Sequence, residues 1–337
     1  MSEDRRSVLS EARKVYKTFP VRPGLFRGEA EEIHALNGID LAVKQGETLG
    51  LVGESGCGKS TFGRILLRLE EGYTGEVYFN GGDIAMLKKD ALKSFRRKIQ
   101  IVFQDPFSSL NPRMKVGAIV KEPLTIHQVG TAAEREERLQ ELLSLVGLRP
   151  DHARRYPHEF SGGQRQRIGL ARAIALNPDM IVCDEPVSAL DVSIQAQILN
   201  LFLELQDKLN LTYLFISHDL HVVQFISDRV AVMYLGKILE LAPKDTLYKH
   251  PLSPYTQALL AASPVPDPER QRPVIRLKGE MPDPIHLPSG CLFHPRCPNR
   301  KEVCKEQSPA LVEVEPHHFV RCFLHHDVSE GSREFFK

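Results

Sequence analysis

The sequence lacks three features that would assign it to other classes of protein. It has no run approaching about 18 uninterrupted apolar residues, so we expect no segment that crosses a bilayer. Its 44 basic and 43 acidic residues leave no positive surplus of the kind that dedicated nucleic-acid binders carry. Its first residues are polar with charges of both signs, unlike a secretory signal. We therefore expect a soluble protein that binds no nucleic acid and that works at a membrane only by docking on a spanning partner.

The chain reads as two domains of unequal size. Its 337 residues exceed the length of most single domains. From about residue 47 to 240, short apolar strands alternate with longer amphipathic segments, a pattern typical of an α/β domain with a largely parallel sheet. After about Leu241 prolines become frequent and long periodic helices stop. We predict domains at 1–245 and 246–337, the second a small domain containing four of the six cysteines.

Individual elements follow from the same periodicity. The predicted strands are Thr48–Val52, Gln100–Phe103, Met180–Cys183 and Tyr213–Ser217. The predicted helices are Lys59–Leu69, Ala132–Val146, Gly162–Leu176 and Ser193–Leu209. A stretch rich in Arg, Pro and Gly at 21–30 predicts an irregular loop.

Residues 53–60 form a phosphate-binding motif. Their sequence, Gly-Glu-Ser-Gly-Cys-Gly-Lys-Ser, matches G-x-x-x-x-G-K-S/T between a predicted strand and a predicted helix. Such a loop surrounds phosphates with backbone N–H groups and the positive end of a helix. Lys59 is predicted to reach the β- and γ-phosphates of ATP, and Ser60 to ligate Mg²⁺. The predicted ATP-binding residues here are Gly53, Glu54, Ser55, Gly56, Cys57, Gly58, Lys59, Ser60 and Thr61.

A second motif is an apolar strand that ends in two carboxylates, Asp184 and Glu185. At the end of a buried strand, Asp184 is suited to hold Mg²⁺ beside the phosphate loop. Glu185 is one residue further on and is suited to orient or deprotonate the attacking water.

The segment Phe160-Ser-Gly-Gly-Gln164 precedes a predicted helix. Ser161 and Gln164 have the spacing of a capping box, and the two glycines leave N–H groups unobstructed at the positive helix end. We interpret most of the arginines that follow (Arg165, Arg167, Arg172) as a solvated face. The segment resembles the Leu-Ser-Gly-Gly-Gln signature of ABC ATPases, with Phe for Leu. The resemblance extends from about Arg13 to Leu241 and implies a P-loop NTPase fold of the ABC type, with a helical subdomain at about 105–175.

The resemblance implies roles for residues whose own patterns are weak. Gln104 resembles the Q-loop glutamine, residues 188–191 resemble the D-loop, and His218 resembles the switch histidine that contacts the γ-phosphate. Phe19 is expected to stack on adenine, with Tyr16 as its rival. The implied catalytic residues are Glu185 and His218. The implied Mg²⁺ ligands are Ser60, Gln104 and Asp184. Further implied ATP contacts are Ser161, Gly162, Gly163, Gln164 and Asp191, the signature serving a partner's nucleotide.

Three further stretches make the resemblance more specific and point to one group of ABC ATPases. Residues 104–112, 254–260 and the tail from Pro288 resemble ATPase subunits of peptide and nickel importers. This implies a peripheral subunit at the cytoplasmic face of the bacterial inner membrane that hydrolyses ATP to power import of dipeptides or oligopeptides. The implied partners are a second, homologous ATPase subunit, two transmembrane permease subunits and, indirectly, a peptide-binding protein. An importer of nickel, glutathione or another small solute is an alternative. A soluble ABC protein is less favoured, because the chain has no second cassette and no long coiled-coil insertion.

The cysteine-rich tail indicates a bound metal or cluster. Cys291, Cys297, Cys304 and Cys322 crowd into one Pro-rich segment of a chain expected in a reducing compartment, where disulfides are disfavoured. Zinc is an alternative, although zinc sites usually bring a short Cys-x₂₋₄-Cys pair, and unligated thiols are a third reading. Four thiolates at this wider spacing suit a 4Fe–4S cluster. The resemblance to peptide-importer ATPases implies such a cluster here.

Overall fold

The computed structural model describes residues 6–21, 31–262 and 279–326. Residues 22–30 of the predicted irregular loop lie outside this range, as do Pro264, Pro266, Pro268 and Pro273 of the predicted linker. The described residues form two compact units. The first unit comprises 6–9, 43–48 and 80–217, and the second comprises 10–21, 31–42, 49–79, 218–262 and 279–326.

The regular elements are named here in chain order. The strands are β1 (Val8–Pro20), β2 (Glu32–Lys44), β3 (Thr48–Val52), β4 (Thr74–Phe79), β5 (Gly82–Asp83), β6 (Ile99–Val102), β7 (Met180–Asp184), β8 (Thr212–Ser217), β9 (Arg229–Tyr234), β10 (Lys237–Pro243), β11 (Val312–Glu315) and β12 (His318–Val320). The helices are α1 (Lys59–Leu66), α2 (Lys89–Lys98), α3 (Pro106–Ser109), α4 (Val116–Ile126), α5 (Ala132–Leu145), α6 (Gly162–Ala173), α7 (Val192–Leu209), α8 (Leu220–Ile226), α9 (Lys244–Lys249), α10 (Pro254–Ala262) and α11 (Val303–Glu306). All the strands and helices predicted above are confirmed, with bounds that differ by at most three residues.

Three parallel strands form the centre of the first unit. In the register of β6, β7 and β8, Ile99 lies opposite Met180, and Met180 lies opposite Thr212. The side chains of residues 180–183 have no exposed surface. Strands buried on both faces are typical of parallel sheets, which explains why this run is continuously apolar. Because the strands are parallel, the residues that follow Val102, Asp184 and Ser217 emerge at one edge of the sheet.

The regular elements between residues 105 and 176 of the first unit are helical. The helices α3 to α6 are joined by turns and by short 3₁₀ segments at Pro150–Arg154 and Pro157–Glu159. A capping box starts α5: the Thr131 hydroxyl accepts from Glu134 N, and the Glu134 carboxylate accepts from Thr131 N. Leu139, Leu142 and Leu143 form the buried face of that helix.

The sheet of the second unit is more mixed than the predicted, largely parallel one. Strands β3 and β9 are parallel, with Leu49 opposite Arg229, but β9 and β10 form an antiparallel hairpin. The hairpin turns at Leu235 and Gly236, whose φ angles of 42° and 72° match the left-handed pair that a two-residue hairpin loop requires. In a separate sheet, strand β1 pairs antiparallel with β4. The pattern of apolar residues within each strand does not indicate whether the strand runs parallel or antiparallel to its neighbour.

The chain beyond Leu241 adds strands to this sheet. Strand β12 pairs antiparallel with β10, and β11 pairs with β12. The Glu240 carboxylate is fully buried and accepts hydrogen bonds from Leu252 N at 2.7 Å and Ser253 N at 2.9 Å, and His318 Nε2 lies 2.7 Å from it. A buried carboxylate is tolerated only when its oxygens are paired in this way. Glu240 therefore holds both the start of α10 and β12 against β10.

Candidate functional site

The phosphate loop of the second unit connects the carboxyl end of β3 to α1. Lys59 begins α1 and its side chain is only 5% exposed. Its Nζ donates hydrogen bonds to Gly53 O at 2.7 Å and Glu54 O at 3.0 Å. Because a buried ammonium is costly unless its protons are bonded, these carbonyls fix the lysine inside the curve of the loop. Ser60 and Thr61 occupy the first turn of the helix.

Two glycines of this loop are required by the closeness of other backbone. A Cβ at Gly58 would lie 2.3 Å from Ala35 O, and the residue has a φ of 105°. A Cβ at Gly53 would lie 2.1 Å from Met233 O. Either side chain would push the loop away from β2 or β9, so these positions accept only glycine. Cys57 is buried between them, and burial raises the pKa of its thiol, which makes it a packing residue rather than a nucleophile.

Gln104 and Glu185, separated by 81 residues, meet at the carboxyl edge of the first unit's sheet. Gln104 Nε2 donates to Glu185 Oε2 at 2.9 Å. Asp184 ends β7 and is 6% exposed, whereas Glu185 has left the strand with a φ of 48°. This left-handed conformation costs a non-glycine residue about 1–2 kcal/mol. It is held by hydrogen bonds from Glu185 N to Ile216 O and from the Ser188 hydroxyl to Glu185 O. Local strain of this kind is typical of functional sites.

The signature segment has the predicted capping geometry. Ser161 Oγ accepts from Gln164 N at 3.4 Å, and Gln164 Oε1 accepts from Ser161 N at 3.1 Å. A Cβ at Gly163 would lie 2.4 Å from Ile194 Cγ2, so α6 approaches α7 through a glycine. Phe160 is buried with its ring edge-on to His152, at 5.2 Å between centroids. The larger ring is thus accommodated at the position where the signature has leucine.

The interpretation of the α6 arginines as a solvated face is wrong. The Arg165 guanidinium is buried, donates to Pro157 O at 2.7 Å and lies 3.6 Å from the centre of the Phe107 ring. Arg167 donates to Val146 O at 2.7 Å, and Arg172 donates to Ser109 O at 2.6 Å. Arg167 and Arg172 donate to carbonyls at the ends of α5 and α3, where backbone acceptors lack intrahelical partners, and Arg165 donates to a carbonyl of the 3₁₀ turn before α6. The signature helix is therefore bonded to the segment that follows Gln104.

The remaining predicted residues are placed as follows. His218 comes directly after β8 and is exposed, and Asp191 is an exposed residue preceding α7. Both adenine candidates lie on β1. Phe19 is half-buried, with Lys17 Nζ 4.6 Å from its ring centre, whereas Tyr16 is half-exposed and its hydroxyl lies where a side chain at Gly38 would stand.

The four cysteines of the tail border one small cavity of the second unit. Burial raises the pKa of the Cys291 and Cys297 thiols and raises the pKa of Cys322 to about 12. Thiolates in this cavity would therefore need a cationic partner. Within the described ranges, however, no group of three or more His, Cys, Asp or Glu side chains has an arrangement that could hold a metal ion. The four thiols therefore share a cavity but do not have the arrangement of a metal site in this conformation.

Comparison with known proteins identifies the family. Residues 36–188 match the family model for ABC transporters, and residues 239–304 match the model for the C-terminal region of oligopeptide/dipeptide transporters. The chain is 56% identical over 331 residues to the oligopeptide transport ATP-binding protein AppF of Bacillus subtilis (strain 168), covering 96% of this chain and all of that protein. The chain belongs to the ATP-binding proteins of oligopeptide/dipeptide ABC transporters. It is thus an ABC ATPase with the α/β P-loop fold.

Two further similarities support this assignment. The ABC ATPase is 50% identical over 300 residues to the di/tripeptide transport ATP-binding protein DppF of Pseudomonas aeruginosa (strain UCBPP-PA14), covering 89% of this chain and 93% of that protein. Among solved structures, it resembles the dimeric post-hydrolysis state of the ATP-binding cassette MJ0796 bound to ADP and Pi. That match has a TM-score of 0.62 and 33% identity, over 70% of this chain and 99% of the other. No helix in the described part of the ABC ATPase is long and apolar enough to cross a membrane.

Sequence reasoning missed the residues that support the phosphate loop from the tail. Arg296, 242 positions away from Glu54, donates to both oxygens of its carboxylate. Tyr255 accepts a hydrogen bond from Glu54 N through its hydroxyl oxygen, at 3.2 Å. Neither a single arginine in a loop nor a single tyrosine at the start of a helix carries a sequence signal that names its partner, so only the tertiary structure identifies these contacts in this ABC ATPase.

The close approach at Gly163 yields a stability prediction. Replacing Gly163 by Ala forces a Cβ against Ile194 and should lower the free energy of unfolding by roughly 1–3 kcal/mol, as overpacking does. The matched control is Gly169→Ala in the same helix, where an added Cβ meets nothing within 4 Å. The control should be neutral or stabilising by up to about 1 kcal/mol. Urea unfolding of both variants measures the difference, and equal stabilities would contradict the packing argument.

Proposed function

We propose that this chain is the subunit that binds and hydrolyses ATP to power import of oligopeptides or dipeptides by an ABC transporter. The observation that carries the proposal is the similarity to an oligopeptide transport ATP-binding protein over 96% of the chain. The match of residues 239–304 to the C-terminal region of oligopeptide/dipeptide transporters supports the peptide cargo over nickel or glutathione. The proposed boundaries are 1–245 for the ATPase domain, with a helical subdomain at about 105–175, and 246–337 for the tail domain.

The phosphate loop is the proposed binding site for the ATP phosphates. Its supporting feature is the buried ammonium of Lys59, whose present acceptors are backbone carbonyls that phosphate oxygens can replace. Residues 53–61 supply backbone N–H groups and the positive end of α1. Phe19, or in its place Tyr16, supplies the ring that stacks on adenine. His218 contacts the γ-phosphate.

Hydrolysis is assigned to Glu185. Its carboxylate, oriented by the bond from Gln104, accepts the proton of the attacking water. Oxygen atoms of Ser60, Gln104 and Asp184 are the proposed Mg²⁺ ligands, a donor set that suits this hard cation. When bound, Mg²⁺ neutralises charge on the phosphates. The hydrogen bond from Gln104 restricts the carboxylate of Glu185 and so limits its entropy loss on reaction.

The assignment of Glu185 is tested by Glu185→Gln. The amide keeps the size of the side chain and the hydrogen bond to Gln104 but cannot accept a proton, so ATP binding should persist while hydrolysis falls on the order of 10²–10⁴-fold. Phosphate release measured with the partner's sites disabled reports the rate, and retained nucleotide reports binding. Glu204→Gln, at an exposed position on α7, is the matched control. Turnover at the wild-type rate in Glu185→Gln would exclude the assignment.

The signature is proposed to act on the nucleotide of a partner. Ser161 and Gln164 close the capping box at the start of α6, and Gly162 and Gly163 lie in its first turn, where backbone N–H groups have no intrahelical acceptor. Asp191 lies at the start of the adjacent α7. The dimeric cassette with ADP and Pi supports an arrangement with two ATPase subunits. We propose a heterodimer with a second, homologous ATPase subunit, at the cytoplasmic face of the inner membrane beneath two permease subunits, supplied by a peptide-binding protein. The surface that docks on the permeases is proposed to be residues 105–155, where Phe107 and Ile126 are more than half exposed.

Dependence on partners is testable with purified components. The isolated chain should be a poor ATPase, because each proposed site is completed by another subunit's signature. Its ATP hydrolysis should rise when the second ATPase subunit and the permeases are added in membranes. Ile126→Asp should weaken this stimulation and leave ATP binding by the isolated chain unchanged. Full activity of the single chain, independent of peptide and of membrane subunits, would count against the proposal.

The four cysteines are proposed to ligate a 4Fe–4S cluster of structural role, with zinc as the alternative. Support comes from their common cavity and from the raised thiol pKa values, which a cationic group would offset. The spacing of the thiols gives no support of its own. The proposed hydrolysis chemistry requires no electron, so the cluster would hold the tail together rather than take part in the reaction.

Metal analysis distinguishes the three possibilities. Anaerobically purified protein should be brown and contain about four irons per chain, lost on Cys297→Ser. Cys183→Ser, at a buried site in β7, is the matched control that should keep the iron. Colourless protein with stoichiometric zinc would exclude the cluster. Metal-free protein with a protease-resistant tail would exclude both ligands.

A further inference from the structure

The cysteine-bearing segment of the tail is bonded directly to the phosphate loop. Arg296 Nη1 lies 2.7 Å from Glu54 Oε2, and Nη2 lies 3.1 Å from Oε1, which is a bidentate pair. The Arg296 side chain is 8% exposed and that of Glu54 is 27% exposed. Such parallel, charge-assisted bonds are both stronger and more directional than a surface ion pair.

The Arg296 guanidinium lies beside a cluster of aromatic rings, 5.9 Å from the centre of the Tyr234 ring. Phe293, three residues earlier, packs with Tyr234 and Tyr255, with ring centroids 5.4 Å and 5.3 Å away. All three rings are buried. Burial disfavours the charged guanidinium, but the hydrogen bonds and charge of Glu54, together with Tyr234, outweigh this and raise the pKa of Arg296. The arginine is therefore a permanent charge held in one place.

Glu54 connects this charge to the phosphate-binding lysine. The same residue that carries the paired carboxylate offers its carbonyl oxygen to Lys59 Nζ at 3.0 Å. Its N–H is bonded to the Tyr255 hydroxyl at 3.2 Å, so side chain and backbone are both anchored to the tail side of the unit. A carboxylate in a loop that binds phosphates would repel them if it were not neutralised. Arg296 is the cation that the described structure places on it.

We infer that Arg296 is a positioning residue for ATP binding: it neutralises and orients Glu54, so the cysteine-bearing segment sets the affinity of the phosphate loop. This inference rests on the proposed role of that loop in binding ATP. Arg296 acts on the loop through its hydrogen bonds to the Glu54 carboxylate. The tail, whose cysteines lie on either side of Arg296 at 291 and 297, is then a part of the nucleotide site and not merely an attachment.

The test measures binding of a fluorescent ATP analogue with Mg²⁺ to the full-length chain. Arg296→Gln should weaken binding about tenfold or more, the effect expected when a charged hydrogen-bond partner is lost. Arg300→Gln removes the same charge from an exposed position of the same segment and should bind like the wild type. The double variant Glu54→Gln with Arg296→Gln should bind more tightly than Arg296→Gln alone, because no carboxylate is left unpaired.

Several outcomes would overturn the inference. It fails if Arg296→Gln is folded and binds with wild-type affinity, or if Glu54→Gln recovers none of the loss, since a general disruption of the tail would not be relieved at Glu54. If Arg296→Gln does not fold, Arg296→Met replaces it; this variant keeps much of the packing of the side chain but loses its charge, and wild-type affinity would again overturn the inference. Failure of the proposed function is distinguishable: then the wild type does not bind, or Lys59→Ala binds equally well.

Discussion

The buried ammonium of Lys59 is the interaction on which the second unit's site depends. A charge in this position is stable only if backbone carbonyls turn inward to meet it, and Gly53 and Glu54 supply them. That inward curve brings the loop against Ala35 O and Met233 O, which excludes side chains at Gly58 and Gly53. The strands β2 and β9 are thus as much part of the loop's geometry as the motif itself.

The first unit satisfies a different constraint, the placement of polar groups at the carboxyl edge of a buried parallel sheet. Strand β7 is apolar up to Asp184, and the chain then turns through a left-handed residue at Glu185. Hydrogen bonds from neighbouring strands and turns offset the cost of this conformation. Two arginines of α6 connect the signature helix to the segment after Gln104: Arg165 lies over the Phe107 ring, and Arg172 donates to Ser109 O. These contacts couple the position of the helix to that of the segment.

Much of the fold and site was predictable because the information is local. The phosphate loop, the carboxylate-ended strand β7 and the capping box of α6 each occupy a few consecutive residues, and their spacing follows from strand and helix geometry. Predictions failed where the direction of a strand or the contact partner of a side chain depends on residues far away in the sequence. Three features are of this kind: the antiparallel pairing of β10 with β9, the pairing of the tail's β12 with β10, and the buried environment of Arg165.

By itself, then, the sequence indicated the class of chemistry: glycines, a lysine and paired carboxylates at motif spacing predict a nucleotide phosphate site, and the resemblance of residues 160–164 to the ABC signature indicated the family. Only the tertiary structure decided how that site is supported. Gln104 meets Glu185 across 81 residues, and Arg296 meets Glu54 across 242. The physical reason is that a bidentate ion pair or an amide–carboxylate bond requires only two side chains at the right distance. The sequence separation of the two residues does not reveal such a pair, whereas helices and strands repeat their burial pattern along the sequence.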